Sequence, residues 1–361
     1  MIINRLFYLL LILFLASCEI TETGNGTTSQ RSANIPQTEN LIIVTLDGLD
    51  WKDVYGEEDV LNRDFLSQHG NLYGNRTLGN KVNVLNPSAM SYPGYAELFT
   101  GNVEDITDNT LREGNNETVF EYLNNYLGEY KTQVVAWGHF PYYLFRASTV
   151  EFPLFTSYKS VMDGEHYQSI NTLALYQMGL VDFYLEEKYN FKQFFEKVVT
   201  EGNRLHPRIH PFGGNTIIDD NEEGELLTYV WSKELIKEFQ PNLMYIQFVM
   251  TDHFAHLNER ENYLKAAKNV GIYIEDLYNT LQGIPQYRDN TTIIVTTDHG
   301  RDENFRDHSP ESFLIILNPN IRRGIMTDQN QYYNAQIAQT IANLLGYEYE
   351  PNHDTYEAIR L

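Results

Sequence analysis

Leu41-Ile-Ile-Val-Thr-Leu-Asp-Gly48 is the stretch on which the fold turns. A continuous apolar run, rich in β-branched side chains and ending in Asp-Gly, is the pattern of a strand buried on both faces of a mostly parallel sheet. Similar runs recur at Thr132 to Trp137, Leu243 to Met250, Thr291 to Thr297 and, shorter, Phe313 to Leu317. Between them lie helical patterns at Val119 to Leu127, Glu225 to Glu238, Glu261 to Leu281 and Tyr332 to Leu345. Alternating strand and helix predict an α/β fold with a mainly parallel central sheet flanked by helices. From about 140 to 223 this rhythm gives way to aromatics, two helical patterns and a Pro- and Gly-containing loop. That stretch reads as an inserted helical and loop cap over the sheet, within a catalytic domain spanning 41–361.

Composition narrows the class. The 361 residues carry 49 acidic and 26 basic side chains, a formal charge of −23. A field of that sign repels nucleic-acid backbones, so nucleic acid is not expected as a bulk partner. With 42% hydrophobic residues the chain can bury a sizeable core.

The N-terminus reads as a targeting segment. Arg5 precedes the apolar run Leu6 to Phe14, which is too short to span a bilayer, and Leu15-Ala16-Ser17-Cys18 follows. This pattern resembles the lipobox of bacterial lipoproteins, which implies cleavage before a lipidated Cys18. Residues 19–40, poor in large apolar side chains, then form a tether, and the protein is expected outside the cytoplasm, anchored to a bacterial membrane. Cys18 is the only cysteine, so neither a disulfide nor a thiolate metal site is available to the mature domain.

Three apolar strands lead into acidic residues, Asp47, Asp252 and Asp298. Ligands in open α/β sheets bind beyond the carboxyl ends of the strands, so these carboxylates are expected to converge. Histidines accompany them: His256 four residues after Asp252, His299 directly after Asp298, and His308 ten after Asp298. Carboxylate and imidazole without thiolate suit zinc, with manganese or iron as alternatives. Six such groups exceed one tetrahedral site, which points to two divalent metal ions. Asp302, Asp307 and His253 are read as neighbours rather than ligands, and His206 and His210 as loop residues of the insertion.

Thr45-Leu-Asp-Gly48, Ser91-Tyr-Pro-Gly94, Asp252-x3-His256, Thr297-Asp-His-Gly300 and His308 stand in an order that resembles the alkaline phosphatase superfamily, especially its nucleotide pyrophosphatase/phosphodiesterase-like branch. The resemblance implies that Asp252, His256 and His308 hold one metal. It implies that Asp47, Asp298 and His299 hold the other, together with the hydroxyl of Ser91. Ser91 then becomes the nucleophile, near the start of a helix through Ala96 to Phe99 where backbone dipoles favour anions. Ser88 is the competing hydroxyl. The implied activity is hydrolysis of a phosphate mono- or diester, on a small molecule or a glycan, through a phosphoserine.

Two positions depart from relatives. Tyr95 stands where the sulfatase signature carries arginine, which makes sulfate esters the weaker expectation. Ser91 and Gly94 stand where the phosphodiesterase-like branch usually has threonine and asparagine. The group that steadies the phosphoryl oxygens is therefore unassigned, with Arg146 and Asn86 as candidates.

Overall fold

Strand β1 (Asn40–Leu46) is buried at every position, as its composition demands, because both faces of its sheet are covered. The structure is a computed structural model that describes residues 37–127, 131–136, 140, 144–145, 200, 203–205, 207–208 and 219–361. The leader, most of the tether and most of the insertion, including Arg146, His206 and His210, lie outside the described residues.

In chain order, β1 is followed by α1 (Trp51–Tyr55), α2 (Arg63–His69), β2 (Gly70–Tyr73), β3 (Lys81–Asn83), α3 (Ser91–Thr100), α4 (Val119–Leu127) and β4 (Thr132–Ala136). After the insertion come α5 (Asp219–Phe239), β5 (Leu243–Phe248), α6 (Met250–His256), α7 (Arg260–Gly283) and β6 (Thr291–Thr296). Short strands β7 (Gly300–Arg301), β8 (His308–Ser309) and β9 (Glu311–Ser312) lead to β10 (Leu314–Leu317), β11 (Gly324–Ile325), β12 (Gln331–Tyr333) and α8 (Ile337–Leu344).

The main sheet has seven strands in the order β11-β2-β10-β6-β1-β5-β4. β4, β5, β1 and β6 run parallel, whereas β10 is antiparallel to both β6 and β2. The strand at Phe313 to Leu317 is thus antiparallel because the chain turns back from β6 without a crossover helix. Alternate residues feed two cores. Ile42, Val44, Met244, Ile246 and Val295 pack with Val270, Ile274 and Leu277 of α7. On the other face Leu41, Ile43, Tyr245 and Ile294 pack with Leu98 and Phe99 of α3, Phe120 of α4 and Ile341 of α8. Each fully buried aliphatic side chain contributes about 1.5–3 kcal/mol relative to exposure, which is why no polar residue interrupts the inner part of β1.

The register decides where the chemistry falls. Leu46 pairs with Phe248 and Thr45 with Thr296, so the carboxyl ends of β1, β5 and β6 lie side by side. Two boundaries differ from the sequence expectation. Asp252 does not end a strand; β5 stops at Phe248 and Asp252 sits in the first turn of α6. The last helix starts at Ile337, because Tyr332 and Tyr333 pair as β12 with β3.

Candidate metal centre

Asp47 follows β1 directly, and Asp298 and His299 follow β6, so sheet register alone brings two carboxylates and an imidazole together. Asp252 and His256 occupy one face of α6 at i and i+4, with His256 Nε2 3.3 Å from Asp252 Oδ2. The start of α6 is held by Glu225 of α5, whose Oε1 accepts the backbone N–H groups of Val249 at 2.9 Å and Met250 at 2.8 Å. His308 arrives on β8, paired with β7 so that its ring stacks on His299 with centroids 4.0 Å apart. Its Nε2 lies 3.3 Å from His256 Nε2. All six residues singled out in the sequence therefore meet at one place.

Their arrangement forms two overlapping groups whose ligand atoms lie within 4.8 Å of one another. One consists of Asp47, Asp298 and His299, and the other of Asp252, His299 and His308. His299 faces both, and His256 adjoins the second group through Asp252 and His308. The Nδ1 of His299 lies 3.1 Å from the carbonyl oxygen of Gly300, a contact that places the proton on Nδ1. Nε2 then presents a lone pair to Asp298 Oδ2 at 3.5 Å, Asp47 Oδ1 at 3.6 Å and Asp252 Oδ1 at 3.7 Å. Electron-rich atoms facing one another in a buried place are repulsive unless a cation stands between them.

The same frustration shows in the carboxyl groups. Asp298 is fully buried, and its Oδ2 has no hydrogen-bond partner among the described residues. Burial pushes its carboxyl up to about 7; the Gly48 N–H opposes the shift and the Asp252 charge adds to it. Asp47 is also raised, first by burial and then by the charges of Asp298 and Asp252. Burial lowers His299 to about 3, so the ring stays neutral and able to ligate. Asp252 is the exception. Burial would raise it, but the His256 hydrogen bond and the Arg301 charge hold it below the usual carboxylate range. An orphaned carboxylate oxygen, a deprotonated imidazole nitrogen and oxygen and nitrogen donors without thiolate fit a divalent metal.

Ser91 is the first residue of α3 and only 4% exposed; the helix thus begins at Ser91 itself, ahead of the stretch Ala96 to Phe99. Its Oγ lies 3.3 Å from both Asp47 Oδ1 and His299 Nε2. Ser88 is turned elsewhere, its Oγ donating to Asn86 Oδ1 at 2.7 Å. Ala89, in between, takes a positive φ of 45°, uncommon for a residue with a Cβ and sparse enough to mark a constrained turn. Glu97, fully buried, holds that turn by accepting the N–H groups of Leu85 and Asn86, and it also accepts Ala335 N–H.

The glycine at 94 has a steric cause. A Cβ there would lie 2.4 Å from the carbonyl oxygen of Asp298, so α3 can pack against that loop only with glycine. Asn86 does not serve the phosphoryl oxygens: its amide nitrogen donates to the carbonyls of Val103 and Ile106 and its Oδ1 is taken by Ser88.

The sequence reading missed three residues. Tyr95, completely buried, donates from its hydroxyl to Asp47 Oδ2 at 2.9 Å and so leaves Oδ1 facing Ser91. Exposed Asn109 accepts the N–H of Tyr92, the residue next to Ser91, on its Oδ1 at 3.0 Å. Arg301, directly after the Asp-His-Gly motif, is fully buried and donates to Asp252. A basic residue so close to a ligand motif was one available signal; Tyr95 was marked only by its place at the sulfatase arginine position, with nothing to point it at Asp47, and Asn109 offered no signal. Asp302 is a turn residue of the β7–β8 hairpin, accepting the Asn304 N–H at 2.8 Å.

Comparison with known proteins agrees with this picture. A family model described as the Metalloenzyme superfamily matches residues 214–349, a span that holds Asp252, His256, Asp298, His299 and His308. No curated protein matches the chain in sequence. In fold, the chain is similar to the alkaline phosphatase PafA, with TM-score 0.59, 11% identity, and 91% of this chain and 99% of that one covered. It is similar to Ps i-CgsB in complex with k-i-k-neocarrahexaose, with TM-score 0.52, 15% identity and coverage of 87% and 73%. It is also similar to the phosphonate monoester hydrolase of Agrobacterium radiobacter, with TM-score 0.51, 14% identity and coverage of 89% and 76%. The fold is therefore the α/β fold of alkaline phosphatase-like hydrolases, and it carries a cluster suited to divalent metal.

Proposed function

We propose that the chain is a phosphoric ester hydrolase that works with two divalent metal ions, zinc first among the candidates, and forms a phosphoserine on Ser91. The observation that carries this reading is the placement of the Ser91 hydroxyl within 3.3 Å of Asp47 Oδ1 and His299 Nε2, beside a buried Asp298 oxygen with no protein partner among the described residues. Asp47, Asp298 and His299 would hold one ion, and Asp252, His256 and His308 the other. Bound cations supply the positive charge that makes a serine hydroxyl acidic and that neutralises a departing oxygen.

The chain's own residues do the rest. Asp47 faces the Ser91 hydroxyl, and Tyr95 keeps Asp47 from rotating. Ser91 Oγ gives its proton to solvent and attacks phosphorus, the bond to the ester oxygen breaks, and the alcohol leaves with a proton taken from solvent. Water then attacks the phosphoserine, releasing phosphate or a monoester and restoring the hydroxyl. Asn109, anchored through its Oδ1 to the amide next to Ser91, would donate from its NH2 group to the phosphoryl oxygens, the role left open in the sequence. Asn109→Ala should lower kcat/KM roughly a hundredfold with metal content unchanged, measured on an aryl phosphate. An unaltered rate would remove Asn109 from the mechanism.

Tyr95 supports phosphate over sulfate esters, since its hydroxyl is committed to Asp47 at the position where a sulfatase has arginine. The resemblance to lipoprotein leaders supports an exported enzyme, lipid-anchored at Cys18 on the periplasmic or cell-surface side, with small-molecule or glycan phosphate esters as substrates. A panel of aryl phosphate monoesters, diesters and sulfates, tested on zinc- and manganese-loaded protein, addresses the reading. Turnover of the phosphates is expected, whereas metal binding without turnover of any ester would sink it.

A further inference from the structure

Arg301 is the bulkiest fully buried side chain among the described residues, and no part of it is open to a substrate. Its three donor groups are spread over the metal centre. Nε donates to the Gly48 carbonyl at 3.1 Å, Nη1 to the Arg306 carbonyl at 3.3 Å, and Nη2 to Asp252 Oδ1. Gly48 makes room for it: at a φ of 60° a Cβ there would lie 2.4 Å from Arg301 Nη2. A buried guanidinium cannot lose its proton, so it adds a fixed positive charge beside one ligand.

The other two acidic ligands feel the Arg301 charge only at a distance and accept no hydrogen bond from a cationic group. Asp47 Oδ2 is held by the neutral Tyr95 hydroxyl and Asp298 Oδ1 by the neutral Gly48 N–H. Counting only groups in direct contact, Asp47 and Asp298 offer two negative charges, whereas Asp252 is matched by Arg301. Exposure runs the same way, since the side chains of Asp298 and His299 are 0% exposed and that of His256 is 51% exposed.

We propose that Arg301 is a positioning residue that makes the two metal positions unequal. The Asp47, Asp298 and His299 position fills first and tightly; the Asp252, His256 and His308 position fills second and exchanges readily. This rests on the two-metal reading above. It gives the enzyme one resident ion and one whose occupancy follows the metal supply.

The test is calorimetric titration of chelator-stripped protein with zinc alone. Wild type should bind two ions in steps separated by about tenfold or more, because a unit charge at contact distance in a protein is worth several-fold to many-fold in affinity. Arg301→Met should tighten the weaker step by about tenfold, whereas Arg301→Lys, which keeps the charge, should leave it weak. A merely structural arginine would make both variants looser, and that result, or two equal steps in wild type, would overturn the proposal. His256→Ala alters an exposed ring and is not expected to disturb folding. It should remove only the weaker step; loss of the tighter one would overturn the proposed order even if the Arg301 variants do not fold. If wild type binds no zinc at all, the two-metal reading itself fails.

Discussion

Ser91→Ala should lose ester turnover by about a thousandfold or more while keeping its fold and its metal. Ser91 is 4% exposed and its hydroxyl makes polar contacts, among the described residues, with Asp47 and His299 alone, so its removal leaves a space no larger than one oxygen atom. Asp47 stays in place because Tyr95 still donates to its other oxygen. His299 stays because its Nδ1 still faces the Gly300 carbonyl. The ligand geometry thus survives a change that deletes the attacking atom, and this separates a nucleophile from a ligand required for assembly. Rates on an aryl phosphate, paired with metal content by mass spectrometry, read the two effects separately. Ser88→Ala is the control, since Ser88 only closes a turn onto Asn86. A Ser91→Ala enzyme with wild-type turnover would show that another group attacks phosphorus.

The parts of this site that were legible in the sequence are those tied to long apolar strands. β1 and β6 are buried on both faces, their runs are continuous, and the residue at which each run stops marks the carboxyl end of the sheet. Asp47 and Asp298 could be placed on that ground alone. Asp252 was drawn into the cluster for the right face but the wrong element, because Val249 and Met250 prolong the apolar run of β5 past its last sheet residue, Phe248. The supporting residues were not legible for a different reason. Tyr95 reaches Asp47 across 48 positions and Arg301 reaches Asp252 across 49, and no local period or spacing encodes such contacts. Gly94 is instructive in the same way. In sequence it is a departure from relatives, while in the fold it is a packing requirement set by the Asp298 backbone.

Asp298→Asn should reverse the effect of metal on stability. In metal-free protein the Asp298 carboxyl is pushed up to about 7 by burial, from an ordinary value near 3.8. A carboxyl raised on folding binds its proton more tightly in the folded state, so its contribution to stability is complete below pH 3.8 and is lost as pH rises through 7. At pH 8 the metal-free wild type therefore holds a buried, unpaired charge that the asparagine variant lacks. The variant should be more stable there by on the order of 2–4 kcal/mol, and the two should converge toward pH 4. Its Oδ1 can still accept the Gly48 N–H, so the loop itself is not sacrificed. Added zinc stabilises whichever protein binds it, in proportion to affinity. Wild type should then overtake the variant, which has lost a charged ligand of the tight position and with it turnover. The observable is a crossing: with chelator at pH 8 the variant melts higher by several degrees, and with zinc it melts lower. If wild type melts higher under both conditions, Asp298 is satisfied by protein groups alone and the metal assignment at that carboxylate is wrong.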